Sequence, residues 1–145
     1  AMKLERPDGW YHQRLAPPTG RVRVVIDTDT ANEIDDQFAL AWALRCPQQL
    51  DVVAVYAEPF SFAHRRASYP AGAHDASPFN PPAQGMERSW QEIIKVYELL
   101  GLPHAGRVFR GAAAYMAQRH MPVHSEAVDH LIATARQHAP DGPPL

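Results

Sequence analysis

The sequence predicts an α/β fold built on an open, mostly parallel sheet with flanking helices, and three observations predict it. Arg21–Asp27 is a β-branched apolar run that stops in an Asp/Thr turn, and the helical pattern Ile34–Arg45 follows at once. Leu50–Ala57 is a second β-rich run, which completes a βαβ unit of right-handed crossover. Farther on, an amphipathic helix, a short third strand and a last helix continue the alternation that marks α/β architecture.

Taken in order, residues 1–20 mix Pro and Gly with Trp10, Tyr11 and His12, and predict an irregular arm. The opening Ala1-Met2 reads as a vector scar. In Arg21–Asp27, Val22, Val24, Val25 and Ile26 suit a strand buried on both faces, as in a parallel sheet. Ile34–Arg45 places Phe38, Ala41 and Leu44 on one face with Leu40 beside them, and Pro47 ends the helix. Residues 58–85 carry Pro59, Pro70, Pro78, Pro81 and Pro82 and predict a long loop. If Leu50–Ala57 lies parallel to Arg21–Asp27, this loop leaves the sheet at the edge where the aspartates sit. Ser89–Leu100 returns to helix through Trp90, Ile93, Ile94, Tyr97 and Leu100, with Gly101 and Pro103 as stop signals. Arg107–Arg110 predicts a short third strand, and Ser125 caps a last helix carrying Val128, Leu131, Ile132 and Ala135. Three strands are few for a doubly wound sheet, so the expected architecture is the Rossmann-like first half of something larger, with residues 21–145 as its α/β part.

Composition narrows the function. The chain has 145 residues, 46% of them hydrophobic and 21% charged, which is the balance of one globular domain. A net charge of −2 supplies no basic field for a nucleic acid, so no nucleic-acid partner is expected. Cys46 is the single cysteine, which rules out a disulfide framework and a thiolate metal site. No apolar run reaches the roughly 20 residues of a membrane span, and no signal peptide opens the sequence. The expectation is a cytoplasmic protein without a membrane partner.

The chemistry is concentrated after the first strand, where Asp27, Asp29, Asp35 and Asp36 fall within ten residues. One or two aspartates at a strand end are ordinary turn or capping residues. Four repel one another strongly, and a hard cation is the natural compensator. Asp27 and Asp29, two apart, project to one side of an extended chain end. Asp35 and Asp36 fall in or just before the first helical turn, where the helix dipole favours negative charge. A turn returning Asp36 toward Asp29 makes an all-oxygen site suited to Ca²⁺ or Mg²⁺ rather than Zn²⁺.

Asp27-Thr28-Asp29, then Asp35-Asp36 and an apolar helix, resembles the amino-terminal signature of the inosine-uridine-preferring nucleoside hydrolases. Weaker likeness runs through Leu50–Ala57, Gly85-Met86-Glu87 and Arg107–Ala112. The resemblance implies a calcium-dependent hydrolase that cleaves the N-glycosidic bond of ribonucleosides to base and ribose, as in nucleoside salvage. It implies that Asp29 ligates Ca²⁺ and acts as base on the attacking water, and that Asp36 is a second calcium ligand. Asp35 would bind the ribose hydroxyls and Asp27 would support the site. A ribosyl oxocarbenium transition state would be stabilised by the carboxylates. The family's further ligands come from its second half, so the resemblance implies either a homo-oligomer or association with a missing carboxyl-terminal half. The turn Thr30–Ile34 is about two residues longer than the family's and lacks its Pro-Gly, and Glu58-Pro59 stands where the family has a sugar-contacting Asn.

Two other readings compete. A non-catalytic protein that keeps the fold as a binding module would explain the altered turn. Asp27-Thr28-Asp29 also resembles the start of haloacid-dehalogenase-type phosphatases, although Ala31 stands where that family has Thr or Val. Among the eight histidines, His120 and His124 are split by Pro122, which breaks the helix that would align them. His64 and Arg66, with Arg65 and Tyr69, are candidate lid contacts from the long loop, and Trp90 and Tyr97 read as core.

Overall fold

The computed structural model describes residues 6–61 and 81–137. Strands β1 (Val22–Thr28), β2 (Leu50–Ala57) and β3 (Val108–Arg110) pair in that order, and both pairings are parallel. Helices α1 (Asp8–Leu15), α2 (Asp35–Arg45), α3 (Pro82–Leu99) and α4 (Glu126–Arg136) complete the described elements. The chain is an α/β protein with an open three-stranded parallel sheet and flanking helices.

The sheet has two unequal faces. On one, Val52, Val55 and Ala57 of β2 pack with Leu40 of α2 and with Ile93, Val96 and Tyr97 of α3. On the other, Ala54 and Tyr56 meet Ala127 of α4, with Val25, Phe109 and Leu131 around them. Along β2, Val52 and Val55 share a face although three residues apart. The register explains this: Val24 pairs with Val52 and Val25 with Ala54, so Val53 is an extra residue that resets the alternation. β1 has only β2 beside it among the described residues, and its Val22, Val24, Val25 and Ile26 remain half-buried.

On α2, of the expected face only Phe38 departs, being 70% exposed, while Ala41 and Leu44 pack against the core with Leu40, as expected. Asp36, Leu40 and Leu44 are spaced by four and lie along one line of the helix. Asp36 turns toward the end of β1, so Leu40 and Leu44 must turn inward with it. The residues on the opposite line, Ile34, Phe38 and Trp42, go to the surface.

Two element boundaries and one packing face are also corrected. Residues 8–15 are helical rather than irregular, although no residue of α1 is buried. Local forces account for it: Asp8 opens the helix and His12 and Arg14 close it, matching its dipole. The Arg6 and Arg14 guanidinium carbons also lie 5.5 and 5.4 Å from the Trp10 ring centroid. α3 begins at Pro82, seven residues before the expected Ser89, because proline fits the first helical turn, where its missing N–H costs nothing. Gly85 then lies inside a helix for a steric reason, since a Cβ there would strike the carbonyl of Phe60. On α4 the packed line is Ala127, Leu131 and Thr134, while Val128 and Ile132 are each 42% exposed.

The predicted stop signals hold. Gly101 takes φ +68°, Leu102 N donates to Tyr97 O (3.0 Å) and Gly101 N to Glu98 O (3.0 Å), which closes α3 in a Schellman arrangement. Ser125 caps α4, its hydroxyl accepting from Val128 N at 3.2 Å.

Two substitutions test this packing by chemical denaturation. Leu40→Ala is expected to cost about 2–4 kcal/mol, as a truncation in a closed core. Gly85→Ala improves helix propensity by about 1 kcal/mol, yet a net loss of about 1–3 kcal/mol is expected because backbone must move. A stabilised Gly85→Ala protein would contradict the close approach of α3 to Phe60.

Candidate functional site

Parallel pairing brings all three strand ends to one edge, with Thr28 beside Ala57 and Ala57 beside Arg110. The ladder continues past the strands, since Glu58 N donates to Thr28 O (2.9 Å) and Gly111 N to Ala57 O (2.9 Å). The residue after β2 is thereby held next to the residues that end β1. Gly111 leaves room for this, because a Cβ there would meet the Ala57 carbonyl and crowd the Glu58 carboxylate.

Around this edge the chain gathers carboxylates. Asp27 lies near the end of β1 opposite Tyr56, and Asp29 lies just beyond the strand. A tight turn follows, in which Asn32 N donates to Asp29 O and Asn32 Nδ2 to Asp29 Oδ2, both at 2.7 Å. Asp35 and Asp36 then open α2, with Asp35 exposed and Asp36 half-buried. The Asp36 carboxyl is in hydrogen-bond contact with Asp29 and accepts from the Thr28 hydroxyl. The Thr28 oxygen stands 2.9 Å from that of Thr30, and both threonines are buried. The Thr28 hydroxyl thus lies between Thr30 and Asp36. The alternation Asp-Thr-Asp-Thr sends the acids toward the edge and the hydroxyls into the fold.

The electrostatics of this edge are those of crowded anions. Burial holds Asp36 above the ordinary carboxylate value of 3.8; the Thr28 hydrogen bond opposes this, and contact with Asp29 and the Asp29 and Asp35 charges add to it. Glu58 is raised by burial and then by the charges of Asp27 and Asp29. Asp27 is raised by burial. Tyr56 is raised by burial and by Asp27, and its hydroxyl lies 2.8 Å from His130 Nδ1. Among the described residues no Lys or Arg lowers any of these three carboxyls. On the same edge Arg110 is already engaged: Nε and a terminal nitrogen bind the two Glu87 oxygens at 2.8 and 3.0 Å, over the Trp90 ring at 3.6 Å.

Of the residues the sequence singled out, Asp29 and Asp36 are brought into contact, Asp35 stands next to Asp36 at the helix start, and Asp27 acts on the same group through Glu58. His64 and Arg66 lie outside the described residues, as does most of the long loop. The sequence reading gave no site role to Glu58, Thr28, Thr30 and Asn32. Glu58 was findable in principle, because a parallel partner places the residue after the second strand beside the end of the first.

Two carboxylates placed this close repel each other, and a cation between them would relieve the repulsion. The donors are oxygens, which suits a hard divalent cation. Among the described residues no three His, Cys, Asp or Glu side chains are gathered as a ligand set. Asp29 and Asp36 thus offer a two-carboxylate start to a cation site, with Glu58 nearby. The chain matches no protein-family model, no curated protein and no solved structure.

The raised carboxyls set a pH dependence. Each binds its proton more tightly in the folded chain, so it adds stability below its unfolded pKa, and that contribution is lost as pH rises through the folded value. The window starts near 3.8 for Asp27 and Asp36 and near 4.5 for Glu58, and extends upward. In chelator, Asp36→Asn is expected to raise the melting temperature at pH 7 by about 2–4 °C and to change it little at acid pH. The amide keeps an acceptor for Thr28 and gives Asp29 a donor. Scanning calorimetry that found the variant less stable at pH 7 would contradict the repulsion.

Proposed function

We propose that this chain is the amino-terminal half of a Rossmann-like nucleoside hydrolase domain that cleaves the N-glycosidic bond of ribonucleosides. The observation carrying the reading is the Asp29–Asp36 contact at the carboxyl edge of a parallel sheet, with Glu58 and Asp27 around it. Such edges are where open α/β sheets bind ligands. The half-buried β1, with one edge unpaired among the described residues, supports a larger sheet.

Asp29 and Asp36 would hold Ca²⁺, whose bound state supplies charge compensation and an acidified water. The rest of the shell would come from beyond the described residues. Asp29 lies where it can take a proton from a water entering at the edge, while the Asn32 amide on its other oxygen fixes its orientation. Thr30 and Thr28 hold Asp36 toward Asp29. Asp35, exposed at the helix start, is free on its outer side to accept from ribose hydroxyls. Asp27 and Glu58 add the negative potential that favours an oxocarbenium-like sugar. The reaction fits a cytoplasmic salvage enzyme acting on a small nucleoside.

One observation favours a non-catalytic binding module on the same fold: Asn32 Nδ2 occupies Asp29 Oδ2 at 2.7 Å, leaving that oxygen less open to a water. Activity separates the two. Ribose release from a nucleoside panel by the full-length protein is expected to require Ca²⁺ and to fall about 10²-fold or more in Asp29→Asn. Nucleoside and Ca²⁺ binding without ribose release would favour the module. Release unaffected by chelator or by Asp29→Asn would contradict the hydrolase reading, and phosphate release from a monoester would point to the phosphatase class.

A further inference from the structure

At the end of the sheet opposite the acidic edge, a recess of about 190 Å³ opens between the last turns of α2 and α3, where β2 and β3 begin. Leu44, Leu50, Val52 and Leu102 give it apolar walls. Tyr97 also lines it and is only 1% exposed. The Tyr97 hydroxyl is buried and has no hydrogen-bond partner among the described residues. Packing alone would be served equally by Phe at this position, and folded chains seldom leave a buried hydroxyl orphaned without use. Burial raises Tyr97 above the ordinary phenol value of 10.0, and the Arg107 charge opposes the rise. At neutral pH the group is therefore a protonated donor, and it feels the field of a cation on the same recess.

The two arginines of the recess differ in their commitments. Arg21 is engaged, with Nη2 on Asp51 Oδ1 at 2.8 Å and Nε donating to Pro47 O at 2.9 Å. Arg107 gives one terminal nitrogen to Val52 O at 3.1 Å, and no carboxylate pairs with it among the described residues. A guanidinium carries five N–H donors, so most of those on Arg107 remain for a ligand. Two arginines against Asp51 leave the recess one net positive charge. The carbonyl ends of both helices are already capped by the N–H groups of Cys46, Gly101 and Leu102, which limits their pull against an anion.

We propose that this recess binds a small organic monocarboxylate, its anionic end held by the Tyr97 hydroxyl and the Arg107 guanidinium and its apolar body set against Leu44, Leu50 and Val52. The chemistry selects that class on three counts. A buried donor beside an uncommitted guanidinium calls for an anionic acceptor. One net positive charge, with Asp51 on the same wall, suits a monoanion better than a phosphate dianion. The volume lies below the roughly 300 Å³ of a pocket for drug-sized ligands, so the molecule is small. None of these residues belongs to the acidic edge, and the site stands whether or not the hydrolase reading does.

Calorimetric titration of the full-length protein with benzoate and with hexanoate tests the proposal, with benzamide and inorganic phosphate as comparison probes. At least one carboxylate is expected to bind at roughly 0.01–1 mM, about tenfold or more tighter than either comparison probe. Tyr97→Phe and Arg107→Gln are each expected to weaken that carboxylate about tenfold or more and to narrow its lead over benzamide. Because the hydroxyl has no partner in the described chain, Tyr97→Phe is expected to leave the ligand-free melting temperature unchanged or raised. Loss of binding is thereby separated from loss of fold. Absence of carboxylate binding, as when another segment of the protein fills the recess, would overturn the proposal. So would benzamide binding equally well, phosphate binding more tightly, or a carboxylate affinity untouched by Tyr97→Phe. A lowered ligand-free melting temperature in Tyr97→Phe would overturn it too, by giving the hydroxyl a partner within the protein.

Discussion

The rotation of α2 about its own axis is the constraint on which most of this molecule rests. Its first turn is anchored by Asp36, held between the Thr28 hydroxyl and the Asp29 carboxyl at the end of β1. With 3.6 residues per turn, that anchor carries Leu40 and Leu44 onto the sheet, and Leu40 becomes nearly fully buried among Val52, Val55 and Ile93. The same rotation leaves Ile34, Phe38 and Trp42 facing outward. One polar contact therefore couples the acidic edge, the larger of the two cores and the exposed apolar stripe.

That contact is also electrostatically costly, and the fold offsets only part of the cost. The amino end of α2 favours negative charge on Asp36, and the Thr28 hydroxyl favours it further. Against these stand burial and the neighbouring acids, and burial with those acids prevails at both Asp36 and Glu58. Among the described residues, Arg110 on this edge is already engaged, gripped by both oxygens of Glu87 and stacked on Trp90. An arrangement that gathers acids and withholds its basic groups is suited to a ligand that brings its own positive charge. That property is the reason for proposing a divalent cation and a sugar that becomes cationic at the transition state as its ligands.

The strands, the βαβ unit and the caps were legible in the sequence because they depend on local signals. β-branched runs marked β1 and β2, Ser125 announced α4, and Gly101 announced the end of α3. On α2 apolar spacing placed Leu40, Ala41 and Leu44 inward, as they pack, but could not tell Phe38 from them because it too is apolar. Asp36 decided the matter through a contact across the β1–α2 turn. Likewise the start of α3 was hidden by Pro81-Pro82 and Gly85, which read as loop residues locally but fit a first turn and a close approach to Phe60. Within the site, the aspartates stood out by density alone. Glu58 and the Thr30–Thr28 pair did not, because their place depends on strand register and on the shifted pairing at Val53.

The central proposal is that a divalent cation binds at Asp29 and Asp36 and displaces the proton that burial and neighbouring acids hold on Asp36 more tightly than usual. Calorimetric titration of Ca²⁺ in two buffers of different ionisation enthalpy, repeated across pH, counts the protons released on binding. The account predicts net release at mildly acid pH, declining toward zero as the pH rises above the raised carboxyl values. Calcium binding with no proton release at any pH, or no binding at all, would contradict it.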